Sequence, residues 1–437
     1  MTPNTPNIRR VVVIGAGGAM TRRFLKAAKG NLPPDLWLDL RDLSETAAKT
    51  TQEGLGVPSV VASGLDLFDD VALREAVRGA RFVVHGAGPF HRTAEPVRRA
   101  ALAAGATYMD IDDDVESTLA GQSLDAEARA AGVALLVGCG ASPGLTNVLA
   151  ADLASRLDSV EALDVAWCVG DEGPVELGRA VLGHSLHMGF GDYTGWRRGG
   201  PVPRPSFVAT RRWPIPGLER HAFYECAHPE PVMLGRSHPG VQDITCWGAL
   251  HPGPLNGLLR GIAEAEADGR IAYEAAIDFL RDVIAGKATD PAADALALEG
   301  VRAQRRRGEI SLWDEAGFLP HALLKRSYPT QAATAAQASG LLDGRRVRLM
   351  RRIESHRRGS PLKVMEVATG CAEAAFFLEA LERPAGELVG TLSPEQWVRP
   401  ESFYRRLDSV LPPGAGDWLS PVLVQQGVSG PWCDLAT

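Results

Sequence analysis

The chain has 437 residues, 45% of them hydrophobic and 23% charged, with a formal net charge of −7 at pH 7. That length calls for two or three domains, each large enough to bury its own core. The acidic balance argues against non-specific binding to nucleic acid or anionic membranes, and no apolar run approaches the roughly 20 residues that span a bilayer.

Residues 11–14 (VVVI) are a fully apolar, branched run of the kind that forms a buried parallel strand. Gly15, Ala16, Gly17 and Gly18 follow. Ala19 and Met20 then open a segment whose Phe24, Leu25 and Ala28 share one helical face, with Gly30 as the stop. Strand, glycine turn and helix are the context of a dinucleotide fingerprint. Gly15 permits the tight turn, and Gly17 lets the backbone approach a pyrophosphate at the helix N-terminus. Met20 stands where a third glycine is usual. That glycine serves helix–strand packing, so its loss removes no phosphate donor. A register shifted by one (Ala16, Gly18, Thr21) would lose the turn glycine.

LWLDLRDLSETAAK reads as a strand ending near Leu40 and a helix that Ser44 caps. An acid at that strand end binds a ribose 2′-hydroxyl. Here Leu40 holds the place and Arg41 follows, which suits a 2′-phosphate and predicts NADP(H). A strand one residue shorter makes Asp39 the acid and returns NAD(H). VPSVVASGLDLFD supplies a third strand, with Asp66 in the loop where adenine is expected, and RFVVHGAGPF a fourth. Ligands bind outside the carboxyl ends of parallel strands, so Gly86, Ala87, Gly88, Pro89 and Phe90 are expected to border the nicotinamide ribose.

His91 follows that turn as a candidate proton donor, with a surface histidine at a helix start as the alternative. Asp110, Asp112 and Asp113 crowd the end of a fifth strand, where neighbouring carboxylates raise a pKa or hold an ammonium; helix capping by residue 113 or 114 accounts for at least one acid. Asn147, with the amides of Gly144 and Leu145 at a helix start, is placed for a carboxylate or carboxamide.

Residues 190–250 alternate in short runs between Pro/Gly turns and indicate an antiparallel sheet. Its Trp213, Tyr224 and His228 are candidate substrate contacts, with sheet-face packing as the alternative. Residues 256–337 are mostly helical, GRRVRLMRRIES is a strand, and PLKVMEVATGCAEAAFFLEALERPAG is a long helix that could fold back on the first domain. The expected fold is α/β. Residues 1–146 form a Rossmann-type NADP-binding domain with a parallel sheet. Residues 147–364 form a mixed α+β substrate and dimerisation domain with a largely antiparallel sheet, and residues 365–437 a helical segment returning to the first domain. A second sheet face left uncovered makes a homodimer the expected assembly.

The six cysteines are scattered without ligand spacing, which suits reduced thiols rather than disulfides or structural zinc. Cys139 has no histidine nearby, and His184 with His187 have no further ligand pattern, so no metal is expected. The polar MTPNTPNIRR leads straight into the first strand, and a cytoplasmic location is expected.

The segments VVVIGAGGAM, LDLRDLSETA, VVHGAGPF, AALAAGATYMDIDDD and AEARAAGVALLVGCGASPGLTNVLA together resemble the saccharopine dehydrogenase-like oxidoreductases, in the branch of saccharopine reductase, carboxynorspermidine dehydrogenase and homospermidine synthase. ELVGTLSPEQW resembles the family's glycine-x-x-x-proline-glutamate ending. The resemblance covers about residues 8–150 well, recurs weakly in the middle of the chain and at 365–410, and departs from the pattern at Met20 and Leu40. It implies a nicotinamide-dependent reaction at a carbon–nitrogen bond, often an imine reduced to an amine. With the Arg41 reading, the expected function is an NADP(H)-dependent oxidoreductase that reduces an imine, or dehydrogenates an amine, of amino-acid or polyamine type. The alternatives are an NADPH-dependent carbonyl reductase and a non-catalytic NADP(H)-binding redox sensor or scaffold.

Overall fold

A computed structural model of the chain describes residues 9–57, 59–170, 177–215, 218, 221–324, 331–355, 359–384, 386–427 and 430–435. The chain forms two compact units, one of residues 1–148 and 366–412, the other of residues 149–365 and 413–437. Strands are numbered in chain order.

The first unit is built on a seven-stranded parallel sheet of β1 (Arg9–Ile14), β2 (Leu36–Asp42), β3 (Val60–Gly64), β4 (Phe82–His85), β5 (Thr107–Asp110), β6 (Ala134–Leu136) and β15 (Gly390–Leu392). Its order is β15-β6-β5-β4-β1-β2-β3. The central strands are apolar on both faces because helices cover both. The connections are α1 (Ala19–Ala28), α2 (Glu45–Leu55), α3 (Asp70–Val77), α4 (Phe90–Ala104), α5 (Val115–Ser123) and α6 (Asp125–Ala131), and α7 (Leu145–Ala154) leaves the sheet. Val12, Ile14 and Val83 pack with Leu73, Val77, Val97 and Ala101 on one face. Strand order reverses at β1, between β2 and β4, so the crevice beyond their carboxyl ends is the switch point where such sheets take ligands.

The opposite face receives the helix Met365–Glu382, whose residues 370–381 are buried throughout. Such an all-round apolar helix must sit inside a unit. Phe377 stands edge-on to Phe24 at 5.2 Å and to Phe82 at 5.3 Å. The chain then adds β15 beside β6 in parallel register. The segment expected as a helical return to the first domain therefore also contributes a strand there. Its last residues, from 413, belong to the second unit.

That unit holds a ten-stranded mixed sheet, composed of β7 (Ser159–Val169), β8 (Asp192–Arg197), β9 (Gly200–Pro205), β10 (Thr210–Arg212), β11 (Ala222–Glu225), β12 (Asp243–Leu250), β13 (Ala333–Leu342), β14 (Arg345–Arg352), β16 (Leu423–Gln426) and β17 (Trp432–Asp434). β12 and β7 pair in parallel and the other pairs are antiparallel. β13 and β14 close over Asp343 and Gly344, both at positive φ (50° and 70°), as a two-residue hairpin turn requires. Among the described residues no helix is long and apolar enough to cross a membrane.

Phe377 is fully buried between strand and helix residues some 300 positions away in sequence. Phe377→Ala is expected to cost the first unit about 3–5 kcal/mol, read as a lower urea midpoint with an unchanged slope. A loss below about 1 kcal/mol would mean that this helix is not part of the unit's core.

Candidate functional site

The switch-point crevice is shaped by two turns in contact. Gly15 has φ +82°, and a Cβ there would lie 2.6 Å from the Ala87 nitrogen and 2.8 Å from the Gly86 carbonyl carbon. Only glycine lets the turn after β1 touch the turn after β4. The Gly15 and Ala16 amides both donate to the Arg41 carbonyl, at 2.8 and 3.0 Å. Gly18 caps α1 without a side-chain hydrogen bond, and the helix's first turn carries no acid. The first intrahelical bond is donated by Arg22 to the Gly18 carbonyl, so the amides of Ala19, Met20 and Thr21 precede it. Free helix-start amides of this kind, with the helix dipole, are suited to an anion.

The missing third glycine has a counterpart. A Cβ on Gly86 would fall 2.2 Å from Thr21 Oγ1. The close approach of helix and strand is therefore made from the strand side, while Met20 stays half-buried.

β2 corrects the expectation that set the cofactor preference. It runs two residues past Leu40 to Asp42, and Leu40 is a fully buried core residue. Asp42 continues the face of Leu36, Leu38 and Leu40. Its carboxylate accepts from the Gly17 amide at 2.8 Å and the Ser44 amide at 2.9 Å. An acid does stand at the end of β2, against the glycine turn, and the sequence reading missed it. Period-two continuation from Leu40 was the signal that would have found it. Asp39, the alternative acid, is buried and paired with Arg10 and Arg41. Arg41 gives Nε and a terminal nitrogen to Asp39, at 2.6 and 2.9 Å. Arg41, Asp66 and Arg10 come together in lining a cleft of about 570 Å³ that also includes Gly64 and Asp69. Asp66 turns one oxygen back to the Phe68 amide at 2.9 Å.

At the β4 exit, Phe90 is buried with its ring edge-on to His85 at 5.5 Å. Gly86 to Pro89 are thus the members of that group left to border a ligand. His91, in the first turn of α4, is exposed; its amide and its Nδ1 both meet the buried Asp114 carboxylate, at 2.9 and 3.1 Å.

Asp110 and Asp112, expected as catalytic acids, are instead fully buried around a guanidinium. Arg98 reaches both with one nitrogen, at 2.6 Å each, and gives another to the Ser117 carbonyl at 2.6 Å. Asp110 also accepts from the Tyr108 hydroxyl (2.7 Å) and from the amides of Gly138 (2.8 Å) and Asp112 (3.1 Å). Asp112 accepts the Asp114 amide at 3.0 Å. Burial pushes the Asp112 carboxyl up, against the pull of Arg98. Both acids position the strand exit. Sequence reading passed over Arg98, although an arginine on the stripe of Ala94, Val97 and Ala101 was its signal.

Asn147 is likewise buried. Its Oδ1 accepts the Gly144 amide and its Nδ2 donates to Glu395, both at 3.0 Å, and the Leu145 amide donates to Gly140 at 2.9 Å. The two amides expected to hold a carboxylate there are spent on closing their own loop, and the Asn147 side chain on Glu395.

In the second unit, Trp213 lies in the core with Phe223, Trp247 and Met350, under the Arg211 guanidinium at 4.7 Å. Tyr224 stacks on Phe207 at 5.1 Å, and its hydroxyl joins Gln304 (2.8 Å) and Glu309 (2.9 Å). Both follow the packing alternative. His228 is buried, with Nδ1 2.8 Å from Glu230.

The chain matches no family model, and no curated protein matches it. Among solved structures it is similar to apo histidine-tagged saccharopine dehydrogenase (L-Glu forming) from Saccharomyces cerevisiae, at 14% identity over 92% of this chain and 97% of that one, with a TM-score of 0.54. A weaker likeness, to GenD2 from gentamicin A biosynthesis in complex with NAD, has 13% identity over 94% and 95% of the two chains and a TM-score of 0.38. The α/β architecture, a Rossmann-like parallel sheet followed by a mixed sheet, is thus that of a saccharopine dehydrogenase-like fold.

His85, buried at the end of β4 with Nε2 3.2 Å from Thr93 Oγ1, gives a pH-dependent prediction. Burial lowers its pKa from 6.5 to about 4, so the folded chain holds it neutral where the unfolded chain is protonated. Its contribution is present above pH 6.5 and is lost as pH falls toward 4, on the order of 3 kcal/mol in total. The difference in unfolding free energy between parent and His85→Gln should narrow by that order between pH 7 and pH 4. A difference independent of pH would mean that the imidazole titrates normally.

Proposed function

We propose that the chain is a nicotinamide-dinucleotide-dependent oxidoreductase acting at a carbon–nitrogen bond, reducing an imine or dehydrogenating an amine of amino-acid or polyamine type. The observation that carries the reading is the Gly15–Gly18 turn onto the uncapped N-terminus of α1, with the Asp42 carboxylate fixed against Gly17. The α1 amides would hold the pyrophosphate, Asp42 the adenosine ribose, and the turn from Gly86 to Pro89 would border the second ribose. The substrate class rests on the resemblance of the first 150 residues.

The bound nicotinamide supplies or accepts the hydride. The chain's own part is to orient the ligand and to move one proton to or from nitrogen. His91 is the group proposed for that proton. Asp114 engages Nδ1, which puts the transferable proton on Nε2.

For the cofactor, Asp42 moves the preference from the NADP(H) expected above to NAD(H). A carboxylate already accepting two amides would face a 2′-phosphate as a like charge, and Arg41, paired with Asp39, does not offset it. NADH is expected to bind at least about tenfold more tightly than NADPH. Asp42→Ala should weaken NADH by about 10–100-fold, the 1.5–3 kcal/mol of a charge-assisted hydrogen bond, with little effect on NADPH. Calorimetric titration of both cofactors reads this, and tighter binding of NADPH by the parent would return the choice to Arg41.

A second reading, a redox sensor that binds the dinucleotide without turnover, is favoured by one observation. Asp110, Asp112 and Asn147 are buried and committed to the protein's own hydrogen bonds. A screen of NADH and NADPH oxidation against amine–aldehyde pairs separates the two. Turnover that falls at least about tenfold in His91→Gln supports the enzyme and its proton donor, whereas tight binding without oxidation of either cofactor supports the sensor.

A further inference from the structure

Cys226, His228 and Glu230 alternate along the chain from the end of β11 to the start of the helix Glu230–Ser237, and Cys246 lies on the neighbouring β12. The pairing of β11 with β12 continues through them, since the Cys226 amide donates to the Cys246 carbonyl at 3.1 Å. Their sulfurs are 3.9 Å apart. His228 Nδ1 and Glu230 Oε2 are 2.8 Å apart. One donor atom from each of His228, Glu230 and Cys246 lies within 4.8 Å of the other two, and the Cys226 sulfur stands outside that set, beside Cys246. All four residues are buried.

We propose that Cys226, His228, Glu230 and Cys246 form a structural zinc site in the second unit. Tetrahedral zinc, with sulfur at about 2.3 Å and nitrogen or oxygen at about 2.0–2.1 Å, sets its two sulfurs about 3.8 Å apart and its nitrogen and oxygen about 3.3 Å apart. The sulfurs already stand at that spacing, the histidine–glutamate pair needs to open by about half an ångström, and the Cys226 sulfur needs to move in toward that pair. Binding replaces two thiol protons with one divalent cation: two S–H bonds break, two S–Zn bonds form, both thiol protons leave to solvent, and the proton between His228 Nδ1 and Glu230 passes to the imidazole Nε2. No electron moves, and the net charge buried is unchanged, so the exchange avoids the penalty of burying a bare ion.

A second observation comes from Trp167 of β7. Its indole is held against Gly248, where a Cβ would lie 2.4 Å from the ring, and stands 5.6 Å from the His228 ring. The indole N–H is buried without a hydrogen-bond partner, on the strand paired with that of Cys246. An unpartnered buried donor this close to the proposed ligands is the kind of outer-shell group that metal thiolates use. Burial leaves no coordination position open to a substrate, so the ion ties the end of β11, the following helix and β12 together and takes no part in turnover. His228 is then a ligand rather than a substrate contact.

The full chain, expressed with zinc in the medium and purified reduced without chelator, is expected to carry about one zinc per chain by elemental mass spectrometry. Protein grown with cobalt instead should show a thiolate-to-cobalt charge-transfer band in the near ultraviolet. The Cys226→Ser/Cys246→Ser double variant should lose at least nine-tenths of the metal; should it fail to fold, the cobalt spectrum of the parent decides alone. Less than about a fifth of an equivalent in the parent would overturn the proposal, as would bound cobalt without the thiolate band, full metal in the double variant, or a chain two daltons light with Cys226 and Cys246 joined as a disulfide.

Discussion

The carboxyl end of the first unit's sheet depends on one buried guanidinium. Arg98 projects from α4 into a space that excludes water and meets Asp110 and Asp112 there. The consequences spread by contact: Asp110 holds the start of the β6 exit loop through Gly138, and Asp112 holds the Asp114 amide. Asp114 in turn fixes His91. A buried charge cluster of this kind adds little to net stability, because desolvation offsets most of the attraction. Its contribution here is geometric, since three separate strand exits are referred to a single rigid plane.

The glycine positions tell a related story. The usual fingerprint places all of its close approaches on one turn. Here Gly15 and Gly86 divide the task between two strands, and Met20 is tolerated because Thr21 meets a residue without a Cβ. The fingerprint is better regarded as a demand for backbone proximity than as a string of letters.

That distinction explains what could be read before the fold was known. The parallel sheet and the β1–α1 turn follow from apolar runs and glycines, which are local signals. The charged end of β2 reads as loop, because Arg41 and Asp42 are polar although the strand continues through them. Asp110 and Asp112 look like reactive acids until their partner on α4 is seen, and no local pattern announces a pairing made across two elements. Trp213 and Tyr224 have the residue types of a binding wall and the burial of a core. Aromatic composition alone does not separate the two.

β15 has a consequence for how the chain is made. The strand that completes the first sheet lies roughly 250 residues beyond its neighbour β6. At about 5–20 residues per second, a ribosome needs on the order of 10–50 s to deliver it. During that interval β6 is an open edge, with backbone groups that Gly390 and Leu392 later satisfy. The helix Met365–Glu382, which covers one face, is missing as well. The nascent first unit therefore waits with an adhesive border and a bare apolar face while the second unit is synthesised. Such a segment is a natural client for a chaperone that shields both until the C-terminal portion arrives.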